Sequence, residues 1–504
     1  MNILQNINWE SKRLEIVALA LFLLLCYFPI FHHLGVPPIK GWDEGLFGMR
    51  MLYLYETGDY LPAFSAFPGE VVHYNLKPPL MTFVQTLFFP VLENSDLELT
   101  LRLPIALCVL GTVVLMLWYS KKESGKHWWG MIASLVLLTS EGYTRVHVGR
   151  TGDHDAALAM FMLIGVFAFL RYLNAQNSRE RKRHLTILTL LLLLSFLTKS
   201  IVGFFFVPGF VIYAALQKQL LPILKRPSTY VAAISLLACV SLYYILMDHW
   251  LPGFFKGIRE HALGRYTTSL GHNHPFDFYF KRYYNSSFRI WIYFLPIAIA
   301  LIFSEKLVRF KAIGQLAFCC GIPYLLIISY SQTKLPWYDA PMYPLLSILV
   351  AIGIYQLWQL VSDWAKQSKH IPKSTFAIYG IVFLFLVPYV RIVKQFSHLK
   401  LSGQDEQFAY LMKRIDKKQL TKDYYVFATG QAPQLSFYAG YYNRRKGYNI
   451  QVVKNIDKLQ SGDQVMLCQD SRKKIIDAQF EYTPMAAYGK QCHLLKLKAR
   501  KIKF

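Results

Sequence analysis

Apolar residues along this chain gather into runs near the length that crosses a bilayer as a helix, roughly 17 to 25 residues. The runs cover residues 14–33, 99–119, 128–145, 155–173, 185–198, 201–217, 229–247, 289–303, 312–331, 340–361 and 375–393. The first is too long, and begins too far in, for a signal-peptide core, and no small-x-small cleavage site follows it, so it is expected to remain as helix one. Two places resist a simple count. Leu80 to Leu92 is apolar but short and holds Pro90, which predicts a re-entrant or interfacial helix. The stretch 185–217 is interrupted by Lys199-Ser200; it reads as two short helices turning at the outer surface, with a single long helix as the alternative. After Val393 the chain becomes polar, with short alternating runs at Tyr424 to Ala428 and Gln464 to Cys468 between helical stretches, as in a small α/β domain. The expected division is a transmembrane part, 1–393, with a large first outer loop at 34–98, and a soluble extracytoplasmic domain, 394–504.

Composition agrees with a polytopic membrane protein: the 504 residues are 54% hydrophobic and 16% aromatic. Charge then orients it. The chain carries 55 Lys and Arg against 30 Asp and Glu, and the dense basic loops fall at every second connection: Lys121-Lys122 with Lys126, Arg179 to Arg183, Lys218 with Lys225-Arg226, Lys306 to Lys311, and Lys366 to Lys373. The positive-inside rule places these and the N-terminus in the cytoplasm. Residues 34–98, 146–154, 248–288 and 332–339 then lie outside. If 80–92 crossed the membrane, the basic loops would face outward instead. The C-terminal part, with 21 basic and 9 acidic residues, runs against the bias, which long domains can do. Its end, Leu494 to Phe504, alternates apolar and basic residues. That is a strand with one cationic face, suited to anionic lipid headgroups or an anionic acceptor, or else a solvated edge guarded by lysines.

Cys26, Cys108, Cys239, Cys319 and Cys320 fall in predicted spans and read as packing residues; Cys468 and Cys492 can pair in an oxidising compartment. No CxxC, zinc spacing, Walker loop or GxGxxG stands in a supporting context, so neither nucleotide nor nucleic-acid binding is indicated.

Ionisable residues at helix ends are expensive unless they serve a cavity, and the outward loops collect a particular set. Asp43 and Glu44 follow helix one, with Lys77 farther along the same loop. Arg150, Asp153, His154 and Asp155 precede the 155–173 run. Arg259, Glu260, His261 and Arg265 follow 229–247; Lys334 and Tyr338 follow 312–331. Each has a plain competitor. Asp43-Glu44 fits the first turn of a helix, Lys77 an interfacial anchor, Asp153 or Asp155 a helix cap. Arg259, His261 and Arg265 fit solvated loop charges, and Lys334 and Tyr338 an interfacial belt.

In combination these motifs resemble the GT-C superfamily of polyprenyl-phosphate-dependent glycosyltransferases, the group holding the protein O-mannosyltransferases and the lipid A aminoarabinose transferases. Trp42-Asp43-Glu44 matches the acidic first-loop motif, and Tyr74-Asn75-Leu76-Lys77-Pro78-Pro79-Leu80 resembles the lysine-proline segment that meets the carrier phosphate. Arg102-Leu103-Pro104 resembles the opening of the next helix and Arg150 to Asp155 the second acidic motif. Glu260-His261 with Arg265, and Lys334 to Tyr338, resemble the later loops. The resemblance implies an α-helical polytopic membrane protein of GT-C fold, with about 11 to 13 transmembrane helices and a small extracytoplasmic α/β C-terminal domain.

It also implies an inverting transfer of one sugar from a polyprenyl phosphate to an acceptor on the outer side. Asp43, Glu44, Asp153 and Asp155 are the candidate catalytic carboxylates, with Asp43 as base and Asp153 or Asp155 holding the acceptor or the sugar hydroxyls. Lys77, Arg259, His261, Arg265, Lys334 and Tyr338 are the candidates for the carrier phosphate, where preplaced cations stabilise charge on the leaving group. Carboxylate oxygens at Asp43 and Asp153 suit a divalent cation, but the resemblance implies a metal-free mechanism, and no cofactor is expected. The expected setting is a bacterial inner membrane with the site facing the periplasm, undecaprenyl phosphate as carrier, and lipid A or another glycolipid as acceptor. A protein acceptor, as in O-mannosylation, and a lipid-linked sugar flippase are the alternatives.

Overall fold

The computed structural model describes residues 12–60, 64–67, 70–72, 76–94, 96–145, 147–269, 271–305, 309–367, 373–397, 404–428 and 433–501. Helix α1 spans Lys12–Ile30, α2 Gly41–Thr57, α3 Leu80–Leu92, α4 Leu97–Ser124 and α5 Trp128–Leu138. They are followed by α6 Asp155–Leu173, α7 Ser178–Lys199, α8 Val207–Leu216, α9 Pro227–Trp250, α10 Leu295–Phe303, α11 Lys311–Tyr330, α12 Met342–Gln367 and α13 Lys373–Ser397.

Among the described residues seven helical segments are long and apolar enough to cross a membrane: Lys12–Ile30, Leu97–Ser124, Asp155–Leu173, Ser178–Phe204, Pro227–Trp250, Lys311–Tyr330 and Met342–Val361. A bent pair, Phe278–Ser287 with Arg289–Phe303, turns by 115° and would make an eighth. Of the other expected spans, 375–393 falls within the 25-residue α13, and 128–145 and 201–217 correspond to shorter helices. The run at 128–145 yields α5, which stops at Leu138 before a separate turn at Glu141–Thr144. The run at 185–217 breaks where its lysine and serine stand. α7 ends at Lys199, Ser200 takes φ 56, a 3-10 turn covers Ser200–Phe204, and α8 follows.

Local chemistry sets several boundaries. The Asp96 carboxylate accepts the Leu99 N–H at 3.1 Å to open α4, and Asn177 accepts from Glu180 N–H at 2.8 Å to open α7, side-chain caps for otherwise orphaned helix donors. Gly125, at φ 72, closes α4 in the left-handed conformation. The core is aromatic and close-packed, with Trp129 stacked on Phe310 at 4.4 Å. By contrast, α9 exposes Tyr230, Val231, Ile234, Leu237, Leu242 and Ile245, the surface of a helix whose partner is hydrocarbon. Cys239 is exposed on that helix, whereas Cys26, Cys319 and Cys320 are buried packing residues as expected.

The C-terminal part is the expected α/β unit. Helices α14 (Gln404–Lys418), α15 (Pro433–Lys446) and α16 (Asp470–Gln479) accompany a five-stranded sheet. Its strands, numbered after a hairpin of β1 (Phe64–Phe67) and β2 (Glu70–Val72), are β3 Asp423–Phe427, β4 Asn449–Val453, β5 Gln464–Leu467, β6 Phe480–Tyr488 and β7 Cys492–Arg500, in spatial order β4-β3-β5-β7-β6. β3 runs parallel to β4 and β5; β7 is antiparallel to β5 and β6. Cys468 and Cys492 form a disulfide. Along β7, Leu495 and Leu497 are buried while Lys496, Lys498 and Arg500 are exposed, the cationic face that alternation predicts.

This unit grips the first loop. α15 packs on α2 so closely that a Cβ on Gly45 would lie 2.4 Å from the Gln434 nitrogen. Around that contact, Tyr438 donates to Glu98 at 2.6 Å and accepts from Ile39 N–H at 2.9 Å, Arg445 forks onto Glu93 at 2.7 and 2.9 Å, and Arg444 meets Glu56 at 2.7 Å.

Candidate functional site

Asp43 and Glu44 lie in the first turn of α2, so the plain reading of them as first-turn acids is met. Their two side chains nevertheless do different things. Glu44 is fully buried, and both oxygens are committed: Arg102 donates Nε to Oε1 at 2.7 Å and Nη2 to Oε2 at 2.9 Å, Gly152 N–H donates to Oε1 at 2.7 Å, and Lys40 N–H to Oε2 at 2.6 Å. Arg102 also donates to the carbonyls of Leu34, Pro37 and Pro38 at 2.9, 2.5 and 2.8 Å. One ion pair thereby ties the start of the first loop, α2, α4 and the Gly152 turn together. Glu44 has no free lone pair aimed at a cavity.

Asp43 points the other way. Its Oδ1 lies 3.2 Å from Lys77 Nζ, both side chains about a quarter exposed at 23% and 27%. Lys77 also stands 4.5 Å over the Phe47 ring. Burial pushes the Asp43 carboxyl up, but the charges of Lys77, His147 and Lys199 outweigh it and hold the group well below the usual carboxylate range. It is an ionised acid in a cleft.

Asp153 joins this cluster through a residue the sequence reading did not single out. His147 Nδ1 is 3.1 Å from Asp153 Oδ1, Thr151 donates to Oδ2 at 2.6 Å, and the His147 ring stacks on Trp337 at 3.8 Å. Burial opposes protonation of His147, yet its hydrogen bond to Asp153 and the surrounding acids raise its pKa above the ordinary histidine value. The His147 backbone takes φ 73, the kind of strained conformation that a non-glycine residue keeps only when its surroundings fix it. Ligand atoms of Asp43, His147 and Asp153 lie within 4.8 Å of one another. The set has metal-ligand chemistry, but Lys77 already stands beside Asp43 as a competing cation, and Asp153 favours the protonated form of His147.

Asp155 belongs to a neighbouring subsite. It opens α6 and pairs with Lys199 at the end of α7. Lys77, Asp155, Lys199, Arg265 and Tyr338 all line one cavity of about 160 Å³, whose apolar wall includes Leu158, Ile201, Val202, Phe205 and Ile328. Arg265 donates to the Tyr338 hydroxyl at 2.6 Å, and Lys199 Nζ sits 5.8 Å over the Tyr338 ring. Three cations above an apolar trough form a receptor for an amphiphilic anion.

The remaining candidates fall elsewhere. Arg259 is exposed on the Ile258–Leu263 turn and does not line the cavity. His261 is on that turn, its side chain outside the described residues. Lys334 is buried but turns inward, donating to the Ser331 carbonyl at 2.5 Å while its amide donates to His272 at 3.0 Å. It braces the loop that carries Tyr338. Arg150 similarly donates to the Pro29 and His32 carbonyls at 3.2 and 2.6 Å. Lys199 was signalled in the sequence as the lysine that breaks an apolar run; His147 had no comparable signal.

This architecture and this cluster define a membrane protein of the GT-C fold class, as the motifs suggested. Within that class the chain is similar to ArnT from Cupriavidus metallidurans. The structure of ArnT bound to undecaprenyl phosphate matches with a TM-score of 0.68 at 16% identity, covering 97% of this chain and 98% of that one. The apo form matches at 0.63 and 17% over the same shares. An Archaeoglobus fulgidus oligosaccharyltransferase in apo form matches at 0.57 and 12%, over 90% of this chain and 66% of that one. At these identities the likeness is one of fold. The family described as dolichyl-phosphate-mannose-protein mannosyltransferase matches residues 76–244, from the segment of Lys77 into α9. No curated protein matches the chain by sequence.

Proposed function

We propose that this chain is an inverting glycosyltransferase that moves one sugar from a polyprenyl phosphate, undecaprenyl phosphate in a bacterial inner membrane, to an acceptor at the periplasmic face. The observation that carries this is the juxtaposition of an ionised carboxylate, Asp43, with a cationic, apolar-walled cavity that includes Lys77, Lys199 and Arg265. Undecaprenyl phosphate bound to ArnT supports the choice of carrier. In the reaction, an acceptor hydroxyl oxygen attacks the anomeric carbon and its proton passes to Asp43. The bond from that carbon to the phosphate oxygen breaks, and the electron pair leaves on the phosphate, where Lys77, Lys199 and Arg265 stabilise the growing charge. A single displacement inverts the configuration. Glu44 acts as a positioning residue, holding α2 so that Asp43 faces the cavity. Asp153 with His147 orients the substrate on the other side of Asp43.

For the acceptor we infer an anionic glycolipid. Support comes from a second cavity, about 270 Å³, between residues 286–291 and α13. There Arg289 meets Glu141 at 2.9 Å and Arg391 meets it at 3.9 Å, leaving one positive charge in excess beside the exposed apolar side chains of Phe383 and Val387. The test is mass spectrometry of lipid A and envelope glycoproteins from matched cells with and without the gene, complemented by wild type or Asp43→Asn. Loss of one sugar mass, restored only by wild type, is expected. Restoration by Asp43→Asn, or accumulation of lipid-linked sugar with no change in any glycan, would replace the transferase by a flippase.

A further inference from the structure

Positions 43, 47 and 50 recur at helical spacing on one face of α2, so Arg50 shares a stripe with Asp43 and Phe47. Arg50 is 4% exposed, and its Nε and Nη1 meet no hydrogen-bond acceptor among the described residues. Its guanidinium carbon lies 5.9 Å from the centroid of Phe47, the same ring that carries Lys77 at 4.5 Å. Tyr60, Asp43 and Tyr243 are the groups whose charge bears on it. Two more polar atoms nearby are buried without a partner among the described residues: the Tyr243 hydroxyl and Nδ1 of His154, whose ring stacks on Phe47 at 3.9 Å.

A buried guanidinium is costly unless an acceptor meets it, and the two acids at the start of α2 are engaged: Glu44 with Arg102, Asp43 with Lys77. Arg50 is not among the residues lining the cavity of Lys199 and Arg265, so the leaving phosphate does not account for it. The missing partner is a second anion next to Phe47 and Asp43, where the proposed reaction holds the transferred sugar. We infer that Arg50, with the Tyr243 hydroxyl, reads a carboxylate on the transferred sugar, so that the donor carries an acidic sugar such as a hexuronic acid rather than a neutral or an amino sugar. This rests on the transferase reading. An ammonium group on the sugar would instead meet both Arg50 and Lys77, a repulsive pairing that selects against it.

The experiment uses full-length protein in detergent and three probes, farnesyl phosphate linked to glucuronate, glucose or glucosamine, with affinities from calorimetry. Wild type should bind the glucuronyl probe at least about tenfold more tightly than the glucosyl one, the order of one charge-assisted hydrogen bond, with the glucosaminyl probe weakest. Arg50→Gln should narrow the glucuronyl-to-glucosyl ratio to within about twofold, Arg50→Lys should keep part of it, and Tyr243→Phe should reduce it by a smaller factor. Equal affinities in wild type, a preference for glucosamine, or an equal loss for all three probes in Arg50→Gln would overturn the assignment. If Arg50→Gln does not fold, the wild-type ranking and Tyr243→Phe still decide. Release of farnesyl phosphate in the presence of envelope lipid is scored separately. A glucuronyl preference without release upholds Arg50 and removes the transferase; release without that preference does the reverse.

Discussion

Glu44 and Asp43 are consecutive residues on one helix turn, yet they sit in regions built on opposite rules. Around Glu44 every strong charge is spent, since Arg102, Gly152 and Lys40 supply four donors to its two oxygens. Around Asp43 charges are gathered and left partly open: Lys77 stands at 3.2 Å, beyond it lies the cavity of Lys199 and Arg265, and Arg50 Nε and Nη1 meet no acceptor among the described residues. A saturated buried ion pair fixes geometry and has nothing left to give a ligand, whereas unsatisfied charges keep their interaction energy for one. The lesson is that net charge and burial do not locate a site; the accounting of donors and acceptors does.

The sharpest way to break the contrast is Glu44→Ala. Removing one partner of a buried pair strands the other, typically at a cost of about 3–5 kcal/mol, here leaving Arg102 with carbonyl acceptors only. We expect a lowered melting temperature and poor recovery of folded protein, read by thermal denaturation in detergent. Asp43→Asn, tested above for transfer, should melt within about 1 kcal/mol of wild type because the partner it loses, Lys77, is a partly exposed lysine. If the two variants were equally unstable, the division between clamp and site would be wrong.

Asp339 offers an intermediate case, a buried carboxylate that is incompletely satisfied. Tyr343 donates to its Oδ2 at 2.9 Å, but Oδ1 has no partner among the described residues. Burial raises its pKa to about 7, against the opposing influence of Arg282 and the Tyr343 hydroxyl. The folded state therefore binds this proton more tightly than the unfolded chain, so the contribution is present at acid pH and is lost as pH rises from the ordinary carboxylate value through 7. Asp339→Asn should leave stability at pH 4 nearly unchanged and raise it at pH 8 by about 4 kcal/mol. Denaturation midpoints at the two pH values check this; a gain that does not depend on pH would refute it.

What the sequence made visible follows the range of the interactions involved. The alternation at Tyr424 to Ala428 and Gln464 to Cys468 is local, and strands β3 and β5 formed there. α2 was visible only at its start, where Asp43-Glu44 fits a first helical turn; its length was not, because Gly45 and Gly48 lower helix propensity. Its helix is supported by α15, which presses on both glycines from more than 380 residues away. Asp43, Lys77, Arg265 and Tyr338 were legible as a set through motif resemblance. His147 was not, since its place depends on a stack with Trp337 across the fold. Apolar runs mark burial in hydrocarbon and in protein alike: α5, largely enclosed by its neighbours, stops after 11 residues.

Within the open region, membership of the cavity can be sharpened by pairing Lys199→Met with Arg259→Ala. Lys199 lines the cavity and pairs with Asp155, whereas Arg259 is exposed outside it. Lys199→Met should weaken binding of polyprenyl phosphate by about 1.5–3 kcal/mol, the scale of a hydrogen bond to a charged group, and Arg259→Ala should change it by less than about 0.5 kcal/mol. Similar losses in both would place the phosphate toward the Ile258–Leu263 turn.

The smallest effect expected is from chelation, and it bears on how the open region balances its charge. Asp43, His147 and Asp153 approach one another closely enough to hold a divalent cation, and hard carboxylate oxygens with an imidazole suit Mn²⁺ or Zn²⁺. A metal would need neutral His147, but the hydrogen bond to Asp153 favours its protonated form, and Lys77 already occupies the approach to Asp43. Two cations facing two carboxylates leave little electrostatic reason to recruit a third. Transfer should therefore change by less than about twofold with excess EDTA near neutral pH. Added Mn²⁺ should inhibit weakly, and more so as pH rises through the elevated His147 pKa and frees the ring nitrogen. Loss of activity on chelation, restored by Mn²⁺, would show instead that the metal outcompetes Lys77 for Asp43 and that the balance drawn here is wrong.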